Sequence, residues 1–370
     1  MKTLNIGGLI PKLPIIQGGM GICVSLSGLA SAVANEGGIG VISAVGIGML
    51  EPNYRRKFRA SNKIALTKEI RKAREKSDGI IGVNIMMAIS DFDDLLQIAL
   101  EENVDVVFIG AGLFLKKPEM PEGCTTKFVP KVSTARAAQV MFKYWASKYN
   151  CVPDAIVVEG PKCGGHVGFK KEELLGDQKP LHELIKETVE IVKPFEEQFG
   201  IEIPVIAAGG VYTGNDMYDI MEAGASAVKM GSRFVTTHEC DVSDEFKQTY
   251  IRATEKDITL IDSPVGLPGR VISNRFVKKI QTGETMPIKC PWKCLKTCDY
   301  KKAPFCIASA LFNAAQGNMD EGFSFAGSRA YLADKIISVK ETINEIVQEY
   351  TEAKELAKLK INSIRLSRVL

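Results

Sequence analysis

The stretch "IPVIAAGGVYTGNDMYDIMEAGASAVKMGSRF", Ile203 to Phe234, decides how the whole chain is read. A short β-branched run ends in Gly209-Gly210, an amphipathic segment follows, and a second apolar run ends in Gly231-Ser232. Strand, helix and strand in that order predict a βα unit in a parallel sheet. Glycines at both turns let backbone N–H groups approach a phosphate closely, and each following helix would add its positive end.

Working outward, the same alternation recurs through the first two thirds of the chain. "LPIIQGGM", "IGVISA", "IIGVNIM", "VDVVFIGAG", "TKFVPKV" and "DAIVVEG" read as strands one to six, and the opening stretch supplies seven and eight. Helices are predicted between most of them, including "SLSGLASAVANEGG" with serine near its start, "DFDDLLQIALEEN" with an aspartate cap, and "LHELIKETVEIVKPFEEQFG". Eight such units predict an α/β fold of the (β/α)₈ TIM-barrel type, with a doubly wound open sheet as the alternative.

The barrel is expected to occupy residues 1–255. Residues 256–330, rich in Gly, Pro, Cys and aromatics, read as a lid or small domain in which only "IASALFNAAQG" is clearly helical. Residues 331–370 read as a C-terminal helix packing on the barrel exterior.

Of the 370 residues, 45% are apolar and 25% charged, and the net charge of +3 comes from 47 basic and 44 acidic residues well mixed. This excludes the basic footprint of a nucleic-acid binder and the long apolar run of a membrane span. The first residues are broken by Pro11 and Pro14, so no signal-peptide core is expected and the location expected is cytoplasmic. A small-molecule substrate is the expected partner, with a homodimer allowed.

In a barrel of this type every active-site loop leaves the carboxyl end of a strand. "VVEGPKCGGHVGF" therefore carries His166, one of only three histidines, to the same mouth as the two phosphate turns. Those turns suit flavin mononucleotide (FMN). Gly18, Gly19 and Met20 in "PIIQGGMG" would lie against a flat ring, and Asn84 would hydrogen-bond its edge or cap a turn. Lys131 would place a charge near ring or phosphate, or reach solvent. His166 is the candidate acid or base, since an ordinary imidazole titrates near neutrality. Glu159, at the end of strand six, would orient a ligand or the loop.

"PIIQGGMG", "GVNIM", "PKVSTARAA", "EGPKCGGHVG", "PVIAAGGV", "VKMGSRF" and "PGRVISNRF", taken together between Leu13 and Phe276, resemble the nitronate monooxygenase (2-nitropropane dioxygenase) family of FMN barrels. That family also includes flavin-dependent type II enoyl-acyl-carrier-protein reductases. The resemblance implies noncovalent FMN with its phosphate on Gly209, Gly210, Gly231 and Ser232. Its ring would rest near Gly19, Met20, Asn84, Lys131, Gly164 and Gly165, with His166 handling the proton. The implied activity is oxidation of alkyl nitronates with oxygen. An enoyl-thioester reductase or quinone reductase using NAD(P)H as co-substrate is the alternative, and a noncatalytic flavin or metal sensor is the non-enzymatic one.

Two departures stand out. Lys162 and Cys163 precede the glycine pair, where Cys163 is either a reactive thiol or an inert filler. Cys290, Cys294, Cys298 and Cys306 form C-x₃-C-x₃-C-x₇-C, four of the nine cysteines, which would hold zinc or an iron–sulfur cluster or simply pack.

Overall fold

Eight short β-branched runs pair in parallel in the computed structural model, which describes residues 1–286, 290 and 292–367, with side chains to residue 360. They are β1 (Ile15–Gln17), β2 (Gly40–Ser43), β3 (Ile81–Met86), β4 (Val106–Gly110), β5 (Lys127–Val132), β6 (Ile156–Glu159), β8 (Val205–Ala208) and β9 (Ala227–Met230), with β7 (Gly165–His166) a two-residue strand outside the barrel. The sheet runs β1-β9-β8-β6-β5-β4-β3-β2. Gln17 N–H donates to Ile39 O at 3.0 Å and Ile39 N–H to Ile15 O at 2.9 Å, which joins β1 to β2 and closes the barrel. The eight expected strands are all present, and the open-sheet alternative falls with that closure.

Period-two alternation divides each strand between two cores. Val41, Phe108, Val129, Val157, Ile206 and Ala227 fill the barrel interior, together with Leu4 and Ile6 of the N-terminal segment. Their neighbours, such as Val83, Val107 and Val228, face out and pack under the surrounding helices. The helix Leu181–Phe199 shows how: it buries Leu184, Ile185, Thr188, Val192 and Phe195 along one stripe and stops at Gly200, whose φ is +65°.

Two helix starts differ from expectation. Asp91 precedes the helix Phe92–Glu101 but does not cap it with its side chain. Its carboxylate instead accepts from Asn62 Nδ2 at 2.7 Å. The helix Ser27–Asn35 has no local side-chain cap, and Asp241, more than 200 residues away, accepts from the backbone N–H groups of Leu26, Gly28 and Leu29 at 2.7, 3.1 and 3.1 Å. A cap supplied from so far along the chain leaves no mark at the helix itself.

The segment after the barrel is more regular than its composition suggested. β10 (Ile258–Asp262) and β11 (Pro268–Ile272) form a hairpin that adds β7 as its third strand. Helices run over Arg275–Gln281 and Ile307–Ala315. Phe276, Phe305 and Phe323 meet with ring centroids 5.5 to 5.9 Å apart at the centre of a separate small core. The last helix, Val339–Ser367, lies along the barrel helix Gly214–Glu222, where Gly214 N–H donates to Glu349 Oε2 at 2.5 Å. A Cβ at Gly214 would come within 2.1 Å of Ile346 O, so glycine there is what lets the two helices touch. Among the described residues no helix is long and apolar enough to cross a membrane.

Candidate active site

The carboxyl ends of the strands surround a cavity of about 590 Å³, covered on one side by the hairpin and the segment after it. Below it the barrel interior is apolar. At the level of the cavity the inward positions become polar: Asn84 of β3, Lys131 of β5, Glu159 of β6 and Lys229 of β9. Gly110 of β4 makes room for one of them, since a Cβ there would meet Lys131 Cε at 2.7 Å. Alternation alone carries this change, because each of these residues follows an apolar inward residue two positions earlier on its strand or a glycine.

Lys131 Nζ and Glu159 Oε1 are 3.0 Å apart. Burial works against the charge on Lys131, but the Glu159 carboxylate outweighs it and holds the lysine above its usual pKa. Lys229 lacks such a partner. The residue is 8% exposed, its ammonium lies 3.9 Å from the centroid of the Phe108 ring, and burial followed by repulsion from Lys131 pulls its pKa down to about 7.

His166 is held at the rim by backbone pairing. Gly165 and His166 form β7 and pair with Arg270 and Gly269 of the hairpin. The His166 Nε2 sits 2.7 Å from Ser263 Oγ, and its ring meets Phe325 edge-on at 4.9 Å. Burial, then the charge of Lys131, lowers its pKa to about 4, so the imidazole is neutral at pH 7. This corrects the expectation of an ordinary imidazole poised near neutrality. Nδ1 has no hydrogen bond to a described residue.

The glycines divide into two kinds. At Gly19 a Cβ would meet Asn84 Cβ at 2.4 Å, and at Gly164 it would meet the backbone of Ala326 at 2.5 Å, so both are glycine because protein packs against them. Gly165, at φ +79°, has nothing within 4 Å of a would-be Cβ, and Gly231 only Met20 Sδ at 3.4 Å. Gly209 and Gly210 belong with the packed kind, since a Cβ would come within 2.9 Å of Cys163 and Lys162, and all of these glycines line the cavity with Gly18 and Ser232. Gly164→Ala is expected to push the 326–327 backbone off the loop and cost about 1–3 kcal/mol. A denaturation midpoint equal to the native one would show that this segment yields freely.

Hydroxyls complete the wall. Ser232 Oγ accepts from Gly327 N–H at 2.8 Å. The hydroxyls of Ser43 and Ser328 are buried without a hydrogen-bond partner among the described residues, and both residues line the cavity.

Cys163 is buried beneath the loop and its thiol is pushed well above the ordinary value, so it is an inert filler. What fixes this loop is Arg270, whose Nη1 donates to Pro161 O at 2.8 Å and also to Cys163 O. Arg270, Ser263, Phe325 and Lys229 are site residues that sequence reasoning passed over. "PGRVISNRF" was among the motifs, but the target of its arginine lies more than 100 residues earlier.

The four clustered cysteines border the same cavity through Cys294. Their segment is stitched to the loop after β3, with Ser90 N–H donating to Cys294 O and Lys296 N–H to Ala88 O, both at 2.9 Å. All four thiols are free, and Cys290, Cys298 and Cys306 lie within electrostatic reach of Cys294, whose thiol burial pushes up to about 12. Lys293 N–H donates to Cys290 Sγ at 3.4 Å. Among the described residues no three Cys, His or acidic side chains are arranged to hold one metal ion.

The family model for nitronate monooxygenase matches residues 4–349. A (3aS,4S,5R,7aS)-5-hydroxy-7a-methyl-1-oxo-octahydro-1H-indene-4-carboxyl-CoA dehydrogenase of Mycobacterium tuberculosis is 28% identical over 73% of this chain, and the match spans 66% of that relative, just under two thirds. A probable nitronate monooxygenase of Staphylococcus aureus is 28% identical over 74% of this chain and 79% of its own. Among solved structures, FabK from Thermotoga maritima superposes with a TM-score of 0.73 at 29% identity, covering 94% of this chain and 96% of that one.

Proposed function

The chain belongs to the nitronate monooxygenase family, and from that premise we propose that it is an FMN-dependent oxidoreductase acting on a small substrate in the described cavity, with alkyl nitronates and molecular oxygen as the substrate pair. The residues present suit FMN. Gly18, Gly19 and Met20 offer one wall for a flat ring, with Asn84, Lys131, Gly164 and Gly165 beside it. Gly209, Gly210, Gly231 and Ser232 offer a phosphate turn, and the unpartnered Ser43 and Ser328 hydroxyls are donors that a polar ligand would use. When bound, FMN supplies the capacity to take up and release electrons.

The observation that carries the nitronate reading is the charge on the cavity floor. Two lysines face one carboxylate under a rim histidine that is uncharged at pH 7, an arrangement that favours an anion such as a nitronate. Ser263 holds His166 Nε2 and leaves Nδ1 to hydrogen-bond the substrate. An enoyl-thioester reductase using NAD(P)H would instead need a proton donor at neutral pH, which an imidazole with so low a pKa supplies poorly.

Purified protein reconstituted with FMN is expected to show flavin absorbance and to turn over propionate 3-nitronate with oxygen. Turnover of crotonyl-CoA with NADH or NADPH, and none of the nitronate, would move the assignment to the reductase.

For the cysteine segment we propose an iron–sulfur cluster, which four thiolates gathered in one short segment can ligate. Iron and acid-labile sulfide are expected in protein purified without oxygen. Their absence, with full turnover in Cys294→Ser, would leave the four thiols as packing groups.

A further inference from the structure

We infer that Lys229 is the counter-cation of the cavity: its unpaired ammonium on the barrel floor takes as partner the negative charge that a flavin ring acquires on reduction, and so favours reduced over oxidised FMN. The inference rests on the reading of the cavity as an FMN site and adds a residue that sets the cofactor's affinity for electrons.

Lysine is out of place at this position by every local measure. In "AVKM" the other three residues are apolar, Val228 and Met230 facing the outer core and Ala227 the inner one. Lys229 occupies the next inward position, flanked in register by Ala208 and Ile16, neither of which offers an acceptor side chain. Among the described residues Glu159 is the carboxylate that acts on Lys229, and Lys131 holds it at 3.0 Å. No ion pair or hydrogen bond from any described residue reaches the Lys229 side chain, and its contact with a charge-attracting group is the face of Phe108. A cation over a desolvated ring gains less than an unpaired buried ammonium loses on leaving water.

Folded proteins avoid that cost by releasing the proton, and here the balance falls near neutrality: burial and Lys131 pull the lysine down to about 7, with Glu159 opposing. The charged groups facing it are therefore Lys131 and Glu159, with His166 neutral above. An anion arriving in the cavity completes the protonation of Lys229 and is stabilised by it in return. An oxidised flavin ring is neutral and makes no such demand. The phosphate is a poorer candidate for the partner, because the Gly231-Ser232 turn lies beyond the end of β9 while Lys229 points from mid-strand toward the barrel axis.

The test compares the FMN-loaded native protein with Lys229→Gln, Lys229→Met and Lys229→Arg. Midpoint potentials are measured on either side of neutrality, alongside the dissociation constant of oxidised FMN and the far-ultraviolet circular dichroism of the apoproteins. The neutral variants are expected to lower the ratio of reduced to oxidised FMN affinity at least about tenfold, about 30 mV for a two-electron couple. Oxidised FMN should bind within about threefold of native by the same arithmetic, and Lys229→Arg should retain most of the effect. A native potential whose pH slope changes near 7, with the change absent in Lys229→Gln, supports the same reading. Unmoved potentials in both folded neutral variants overturn the inference alone. So does an equal loss of affinity for both flavin states, the mark of a phosphate contact. Native protein that takes up no FMN overturns the cavity reading and the inference together.

Discussion

His166→Ala is expected to keep FMN and lose turnover by about 10²-fold or more, the range associated with misplacing a substrate against its reacting partner. The retention follows from where the histidine sits. It belongs to β7 and leans on Ser263 and Phe325, at the rim, while the turns proposed for the phosphate lie at Gly209-Gly210 and Gly231-Ser232. The pH profile gives a sharper check than the rate. An ordinary histidine would place the acid limb of kcat/KM near 6.5, whereas an imidazole lowered to about 4 places it well below pH 5. The sign for stability agrees: the unfolded chain binds the His166 proton first as pH falls, so this residue's contribution is full above about 6.5 and is lost progressively toward 4. A turnover rate unchanged in His166→Ala would make the residue a strut for the hairpin.

Glu159→Gln is the second large effect, and it reads out in stability. Removing the carboxylate leaves Lys131 and Lys229 facing one another on the floor with no anion between them. Breaking a buried pair from one side costs about 3–5 kcal/mol, and the partial exposure of this pair, 28% and 16%, places the expectation at the lower end. Lys131→Met should cost less, because Glu159 then has Lys229 as a second cation within reach. Denaturation midpoints of the two apoproteins measure the difference. Equal losses would show that Glu159 and Lys229 do not communicate.

Much of this was legible in the residues. Every barrel strand was marked by a β-branched run with a turn signal behind it, because a strand buried on both faces must be apolar throughout. The glycine turns and His166 could be placed at one mouth because parallel strands put all their following loops at the same end. The resemblance in seven ordered motifs extended that reading to the family. Helix starts were read less well: Asp91 looked like a cap and is spent on Asn62, while the true cap of the helix Ser27–Asn35 is Asp241. The hairpin over the mouth was missed because "ITLID" and "PGRVI" alternate weakly and sit in a Gly- and Pro-rich segment.

By itself the sequence determined the barrel, its orientation and the loop that carries His166, since these depend on periodicity and local turn chemistry. Tertiary structure alone decided the charge states. Lys131, Glu159 and Lys229 come from three different strands, and only barrel closure brings two cations and one carboxylate to one floor. Gly19 and Gly164 likewise turned out to be glycine for Asn84 and Ala326 as much as for a ligand. The physical reason is the same in each case: a pKa or a steric limit is set by whatever lies within a few ångströms, and those neighbours are distant in the chain.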